Sequence, residues 1–295
     1  MLAKSRGLRV DNVTYDLEDS VTPANKAGAR RALRAFLTQP RPAAVGEVAV
    51  RVNAVASGLA LADLEEIVQA PGLDALVVPK VDSGADLSFV ADVVRHLCPD
   101  RQSMAERPLR ILALIESAKA LTDLASICAA TPLLDGLIFA AEDFALDLSL
   151  TRTPSLSEFL FARSSIATHA RAFNLPSTID LVCTSYKGEK GLQTLEEECL
   201  GGKGLGFNGK QCIHPNQVDV VQRAFSPGMD ELKWAIRVAV ANEKAERAGR
   251  GAWTLDGQMI DAPVVNKAKA AVTRAEKCGI DVETVKEKWK DQEPE

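Results

Sequence analysis

The stretch ILALIESAKALTDLASICAATPLLDGLIFAAED, residues 111–143, decides the fold. Ile111 to Ile115 and Leu137 to Ala141 are short, continuous apolar runs, as strands buried on both faces should be. Between them, Ser117 to Ala130 is amphipathic and reads as a helix that carries the chain back. Strand, crossover helix and strand make one unit of a parallel sheet. Each run also closes on carboxylates, Glu116 after the first and Glu142-Asp143 after the second. Both acidic groups are therefore expected at strand ends on one rim of the sheet.

The same rhythm extends to either side, from residue 10 to about residue 221. Seven strands are expected: Val10 to Leu17, Val48 to Val52, Ala75 to Val78, Ile111 to Ile115, Leu137 to Ala141, Ile179 to Val182, and one around Gly206 to Ile213. Amphipathic stretches separate them, at Lys26 to Thr38, Leu61 to Gln69, Ala85 to His96, Ser117 to Ala130, Ser157 to Phe173 and Gly188 to Leu200. Seven such units point to a TIM-type barrel one strand short of its usual eight.

After Pro215-Asn216 the rhythm changes. A helix from Asp230 to Ala248 leads into a hairpin turning at Asp256-Gly257, then a helix beginning at Pro263. The organisation read from this is a catalytic barrel over 1–221 and a C-terminal extension over 222–295. Lys286 to Glu295 is highly charged and is expected to fray.

Composition excludes several function classes. The 295 residues are 46% hydrophobic and 25% charged, ordinary for a soluble chain able to bury a large core. A net charge of −5 argues against nucleic acid as a partner, because phosphate binding needs a concentrated basic surface. Charged residues interrupt every apolar run before the roughly 18 residues needed to span a bilayer, so no membrane partner is expected. The six cysteines show neither a C-x-x-C pair nor a zinc spacing, which fits a reducing compartment. The first residues carry neither a secretory signal nor a mitochondrial presequence.

Glu116 and Asp143 are the candidate metal ligands. Adjacent strands lie about 5 Å apart, so one hard cation such as Mg²⁺ can bridge carboxylates on neighbouring strand ends. The alternative for each is a helix cap or a solvated loop group. Arg51 sits inside Val-Ala-Val-Arg-Val-Asn, where an unpaired charge is costly. It pairs with Glu18 or Asp19 at the neighbouring strand end, or faces a substrate carboxylate or enolate, or does both. His214 falls between the last strand and a helix, as a packing or capping residue, or as a substrate contact through its side chain or the Ile213-His214 backbone. His96 and His169 lie in helical sequence with no acidic partner at a useful spacing. Asp261, two residues before Pro263, reads from the residues alone as a helix cap.

Seven motifs together resemble the citrate lyase β-chain and malyl-CoA lyase family, in order along nearly the whole chain. They are Asp16-Leu-Glu-Asp-Ser-Val21, Arg51-Val-Asn53, Val78-Pro-Lys-Val81, Leu114-Ile-Glu-Ser117, Ala141-Glu-Asp-Phe144, Gly209-Lys-Gln-Cys-Ile-His-Pro-Asn-Gln217 and Gly257-Gln-Met-Ile-Asp-Ala-Pro263. Within the family, Arg51-Val-Asn-Ala-Val-Ala-Ser-Gly-Leu59 and the stretch 209–217 are most similar to the eukaryotic citrate lyase β-like proteins, which act as citramalyl-CoA lyases. The resemblance implies a TIM barrel with a C-terminal extension, assembled as a homotrimer, with Mg²⁺ held by Glu116 and Asp143. It implies that Arg51 contacts substrate, and that Asp261 is the catalytic acid or base delivered to a neighbouring subunit. It also implies that Lys4 contacts coenzyme A and that Ile213 and His214 contact substrate.

The implied activity is cleavage of a 3-hydroxyacyl-CoA, (S)-citramalyl-CoA, to acetyl-CoA and pyruvate. Within the same class the alternatives are malyl-CoA lyase, malate synthase-like and citryl thioester lyase activities. From another class, the alternative is a weakly catalytic homologue acting as an oligomeric binding protein. A mitochondrial location follows from the resemblance, a cytoplasmic one otherwise. In one respect the chain departs from the family pattern. That pattern has a first strand ending in a Val-Pro-Gly-like turn at the coenzyme A site, and this sequence starts just after it. Either the sequence is truncated at its start or the barrel is open there.

Overall fold

Seven parallel strands pair in chain order in the computed structural model, which describes residues 5–39, 41–102 and 105–295. Lys4, expected at a coenzyme A site, lies outside the described residues. The strands are β1 (Val10–Asp16), β2 (Val45–Arg51), β3 (Ala75–Val78), β4 (Arg110–Ile115), β5 (Leu134–Phe139), β6 (Ser177–Asp180) and β7 (Gly209–Lys210). Helices follow them: α1 (Lys26–Leu37), α2 (Ala60–Ile67), α3 (Gly84–Leu97), α4 (Ala118–Thr122), α5 (Leu124–Ala129), α6 (Ala141–Asp147), α7 (Leu160–Ala172), α8 (Gly188–Gly204) and α9 (Val218–Phe225).

The sheet curls. Ala49, Ala75, Val77, Leu112, Leu114 and Ile138 form one buried cluster, with Ala140 and Ile179 packed against it. Residues of five consecutive strands, β2 to β6, thus share one continuous buried face, as on the inside of a TIM-barrel wall. The wall stays open among the described residues, with β1 and β7 as its two ends. The strand count of seven agrees with the reading from hydrophobic runs.

Three local differences from that reading have physical causes. Ala141 begins helix α6 instead of ending β5, so Glu142 and Asp143 occupy a first helical turn, where backbone N–H groups favour negative charge. The stretch 117–130 divides at Asp123 into α4 and α5, with the Ser117 side chain capping α4 by accepting from Ala120 N–H at 3.0 Å. β7 is only two residues long. Gly206, at φ 100°, turns the chain just before it, and Gln217 holds the amide of Ile213 after it.

Behind the β6 and β7 end of the sheet lies a buried chain of charges. Arg163 of α7 donates to Asp180 through Nε at 3.1 Å and Nη2 at 2.6 Å. Lys210 Nζ, fully buried, sits 3.9 Å from Asp180 and 3.0 Å from Glu198 of α8. Arg152 donates to Glu198 at 2.8 Å and also bonds Glu142. Pairing offsets desolvation for each charge, whereas deleting one member would strand another. Gly202 makes this approach possible, because a β-carbon there would overlap the Asp180 carboxylate.

The chain divides into two compact units, Met1–Val221 and Gln222–Glu295. In the second, α10 (Met229–Arg247), the hairpin of β8 (Trp253–Leu255) and β9 (Gln258–Ile260), α11 (Ala262–Lys277) and α12 (Val282–Lys288) enclose their own core. Trp253, Leu255, Ile260, Val265 and Ala268 pack with Ala235, Val238, Ala241 and Ala245 of α10. Asp256 and Gly257 both take positive φ, 50° and 74°, as a two-residue hairpin turn requires. The charged tail does not fray as expected. Asp281 caps α12, and Thr254 and Glu295 exchange backbone hydrogen bonds of 3.2 and 3.0 Å.

Candidate functional site

Four neighbouring strands deliver the rim residues. β1 leads to Asp16 and Glu18, β2 ends at Arg51, β3 leads through Pro79 to Lys80, and β4 leads to Glu116. The next strand, β5, passes into α6, which carries Asp143 in its first turn. The ends of β4 and β5 are locked together: Ile115 is in register with Phe139, and Ala140 N–H donates to the Ile115 carbonyl at 3.1 Å. Glu116 and Asp143 therefore leave adjacent strands, as expected, with Asp143 set on a helix.

Glu116 is buried, 5% exposed. Its Oε1 accepts the backbone N–H of Lys80 at 3.2 Å. Burial pushes its carboxyl up to about 7, and the negative charges of Asp143 and Glu18 add to that rise against the opposing Lys80 amide. A buried acid beside a second carboxylate is a site that a cation would relieve. Among the described residues no third His, Cys, Asp or Glu joins the pair as a potential ligand set. Two carboxylates with remaining positions left to water and substrate suit Mg²⁺, so the residues present fit that ion.

The weakened acidity of Glu116 makes the stability of the metal-free protein depend on pH. Glu116 holds its proton more tightly when folded, so the metal-free protein is expected to lose stability as pH rises from the ordinary 4.5 to about 7. Glu116→Gln removes that titration while keeping an acceptor for Lys80. Its metal-free melting temperature is expected to match the parent near pH 4.5 and exceed it at pH 8, as differential scanning calorimetry would read. Equal melting temperatures at both pH values would contradict the burial of a charged Glu116.

Arg51 pairs mainly with a residue that the sequence reading passed over. Its Nε and Nη2 each donate at 2.7 Å to the two oxygens of Asp16. Nη1 lies 3.0 Å from Glu18 and 3.8 Å from Asp19. Desolvation alone would raise the Asp16 carboxyl, but hydrogen bonds from Arg51 and from the Glu18 and Ser20 positions hold it well below the usual range. Lys26 fixes this corner by donating to the carbonyls of Leu17 and Glu18, both at 2.7 Å, and to Asn53 Oδ1 at 2.6 Å.

His214 takes the capping role. It heads the short 3₁₀ turn Pro215–Gln217, accepts from Asn216 N–H at 3.3 Å, and stacks on Tyr186 at 5.2 Å. The amides of Ile213 and His214 both donate to Gln217 Oε1, at 2.8 and 3.3 Å. A substrate contact from this pair would have to use the remaining polar groups, or the exposed Ile213 side chain, 52% exposed. Asp261 caps α11, with Oδ1 accepting from Val264 N–H at 3.2 Å. That geometry belongs to the Gln222–Glu295 unit by itself.

Sequence reasoning missed Asp16, Lys80 and Arg152. Lys80 carried a usable signal, since Val-Pro-Lys-Val follows a strand end in the same way as Glu116 does. Arg152 carried none, because its partners Glu142 and Glu198 are 10 and 46 residues away.

Comparison with known proteins bears on this arrangement. The human protein named citramalyl-CoA lyase, mitochondrial, is 35% identical over 283 residues, covering 93% of this chain and 81% of that protein. The citrate lyase subunit beta of Escherichia coli strain K12 is 35% identical over 282 residues, covering 95% and 90%. Among solved structures, the protein CitE from Mycobacterium tuberculosis in complex with magnesium, acetoacetate and coenzyme A is 31% identical. It superposes with a TM-score of 0.69, covering 90% of this chain and 89% of that one. A profile of one family matches residues 1–215, the whole strand-bearing wall and its acidic rim, and the chain belongs to that family, HpcH/HpaI aldolase/citrate lyase.

Proposed function

We propose that the protein is a Mg²⁺-dependent carbon–carbon lyase that cleaves (S)-citramalyl-CoA to acetyl-CoA and pyruvate. The observation that carries this reading is the rim itself: a buried Glu116 that feels the charges of Asp143 and Lys80, with Arg51 at a neighbouring strand end, in a chain 35% identical to a citramalyl-CoA lyase. Glu116 and Asp143 would hold the metal, which when bound supplies Lewis acidity to the hydroxyl and carboxylate of the acyl group.

The bond that breaks joins the carbinol carbon to the methylene carbon next to the thioester. Its electron pair passes to the thioester as an enolate while the carbinol becomes the ketone of pyruvate. The hydroxyl proton lost is balanced by one delivered to the enolate carbon, which gives acetyl-CoA. Arg51, held rigid by Asp16, supplies positive charge for the enolate oxygen without reorganising. Asp261 delivers the proton, and burial beneath a neighbouring copy would raise its pKa enough for that task. On this reading the 222–295 extension covers the site of an adjacent subunit in a homotrimer. Lys4, Ile213 and His214 are assigned to the coenzyme A and acyl portions on the family likeness.

A mitochondrial location follows from the same likeness; among the described residues no helix is long and apolar enough to cross a membrane. A panel of (S)-citramalyl-, malyl- and citryl-CoA, assayed with Mg²⁺ and with EDTA, tests the reading. Preference for malyl-CoA or a citryl thioester would reassign the substrate within the class. No Mg²⁺-dependent cleavage of any of them would overturn the reading.

A further inference from the structure

Lys80 follows β3 in a left-handed turn, φ 49°, a conformation in which long side chains are strained. The turn aims the Lys80 amide at Glu116 Oε1. That bond uses the backbone alone, and glycine would take the turn without strain. The backbone therefore does not account for a lysine at this place.

Its side chain does something the other rim cations do not. From β3 it reaches past the end of β2 toward the segment after β1, where Nζ lies 2.6 Å from Glu18 Oε1 and 3.7 Å from Asp19. Lys26 is saturated by three acceptors. Arg51 spends Nε and Nη2 on Asp16 and sets Nη1 against Glu18. Lys80 has a single partner within hydrogen-bond distance among the described residues, although an ammonium carries three donors. Its side chain is 45% exposed, against 26% for Arg51.

Glu18 ties the two cations together. It is 5% exposed, with Oε1 on Lys80 and Oε2 beside Arg51. Oε2 is buried without an aligned hydrogen bond among the described residues. The ammonium thus sits against the same carboxylate that faces Arg51, at the end of the site assigned to the thioester.

From this arrangement we infer that Lys80 donates a hydrogen bond to the thioester oxygen as the enolate forms, sharing that oxygen with Arg51. The inference rests on the lyase reading above. While the thioester is neutral, Glu18 balances the ammonium. As negative charge grows on the oxygen, the unused donors of Lys80 gain an acceptor, so the contact strengthens toward the transition state.

Lys80→Gly and Lys80→Arg test this in the full chain with Mg²⁺. S-Carboxymethyl-CoA is the binding probe, since its carboxylate puts an anionic oxygen where the enolate would form. Lys80→Gly relieves the turn but leaves Glu18 Oε1 without its partner, so its melting temperature is expected to stay within a few degrees of the parent's, and its Mg²⁺ affinity by calorimetry within about twofold. Its affinity for S-carboxymethyl-CoA is expected to fall at least about tenfold, the worth of one charged hydrogen bond. Turnover should drop roughly 100-fold with little change in KM, and Lys80→Arg should recover part of both losses.

Unchanged affinity for S-carboxymethyl-CoA in Lys80→Gly would overturn the inference. So would a comparable loss of Mg²⁺ affinity, which would mean that Lys80 acts through Glu116. If the parent binds the probe through Lys80 but cleaves no thioester, the lyase reading fails and the Lys80 contact stands.

Discussion

Glu116→Gln and Asp143→Asn are each expected to lower Mg²⁺-dependent cleavage by about 10³-fold or more while leaving the protein folded, because Lewis-acid stabilisation is worth several kcal/mol. Both substitutions keep size and hydrogen-bonding capacity, so the change is one of charge. Glu116→Gln still accepts the Lys80 amide, and removing a buried acid held at about 7 should not harm the metal-free fold. The loss should appear first as weakened Mg²⁺ binding by calorimetry, with saturating metal restoring only part of the turnover. Asp143→Asn also retains a polar group in the first turn of α6, though without the charge that favours that position. If either variant kept both turnover and metal affinity near the parent's, the pair would not be the metal site.

A protein carrying Asp261→Asn, mixed with one carrying Glu116→Gln under conditions that exchange subunits, is expected to regain activity that neither has alone. Asn caps a helix as well as Asp does, so Asp261→Asn preserves the start of α11 while removing the acid. On the proposed role, turnover in that variant should fall about 10² to 10⁴-fold with the melting temperature unchanged. A purely capping Asp261 would leave turnover untouched, so this variant already separates the two readings. In a closed homo-oligomer with random exchange, about a quarter of the sites would combine an intact metal pair with an intact acid from the neighbour. Recovered turnover near that fraction supports service in trans. If native mass spectrometry shows mixed oligomers and no activity returns, Asp261 serves its own subunit or only caps the helix.

The wall of the barrel was legible because buried parallel strands leave continuous apolar runs; the predicted and observed β3 coincide at Ala75–Val78. The placement of Glu116 followed from the same rule. Boundaries were less visible where a helix begins without a polar cap, as at Ala141, whose preceding residue Ala140 gives no side-chain cap. The last residues read as a fraying end by their charge, but Thr254, 41 residues earlier, holds Glu295 through backbone groups that side chains do not announce.

The site was legible in its residue types and less so in its pairings. Arg51 needed an anion, and two nearby acids offered themselves in Glu18 and Asp19. The residue that takes its fork is Asp16, because β1 and β2 run parallel with Asp16 in register with Arg51. Register is set by strand pairing and cannot be read from one strand. The pairing of Lys80 was hidden for a related reason. Its reach toward Glu18 follows from the order β1-β2-β3, which brings together partners 62 positions apart in the chain.

The most direct measurement follows acetyl-CoA and pyruvate released from (S)-citramalyl-CoA by the purified chain, first with Mg²⁺, then with EDTA, then with Mg²⁺ restored. The account predicts equal amounts of the two products with Mg²⁺, loss of turnover under EDTA, and recovery when the metal returns. Release of free coenzyme A without pyruvate, or turnover indifferent to EDTA, would contradict it.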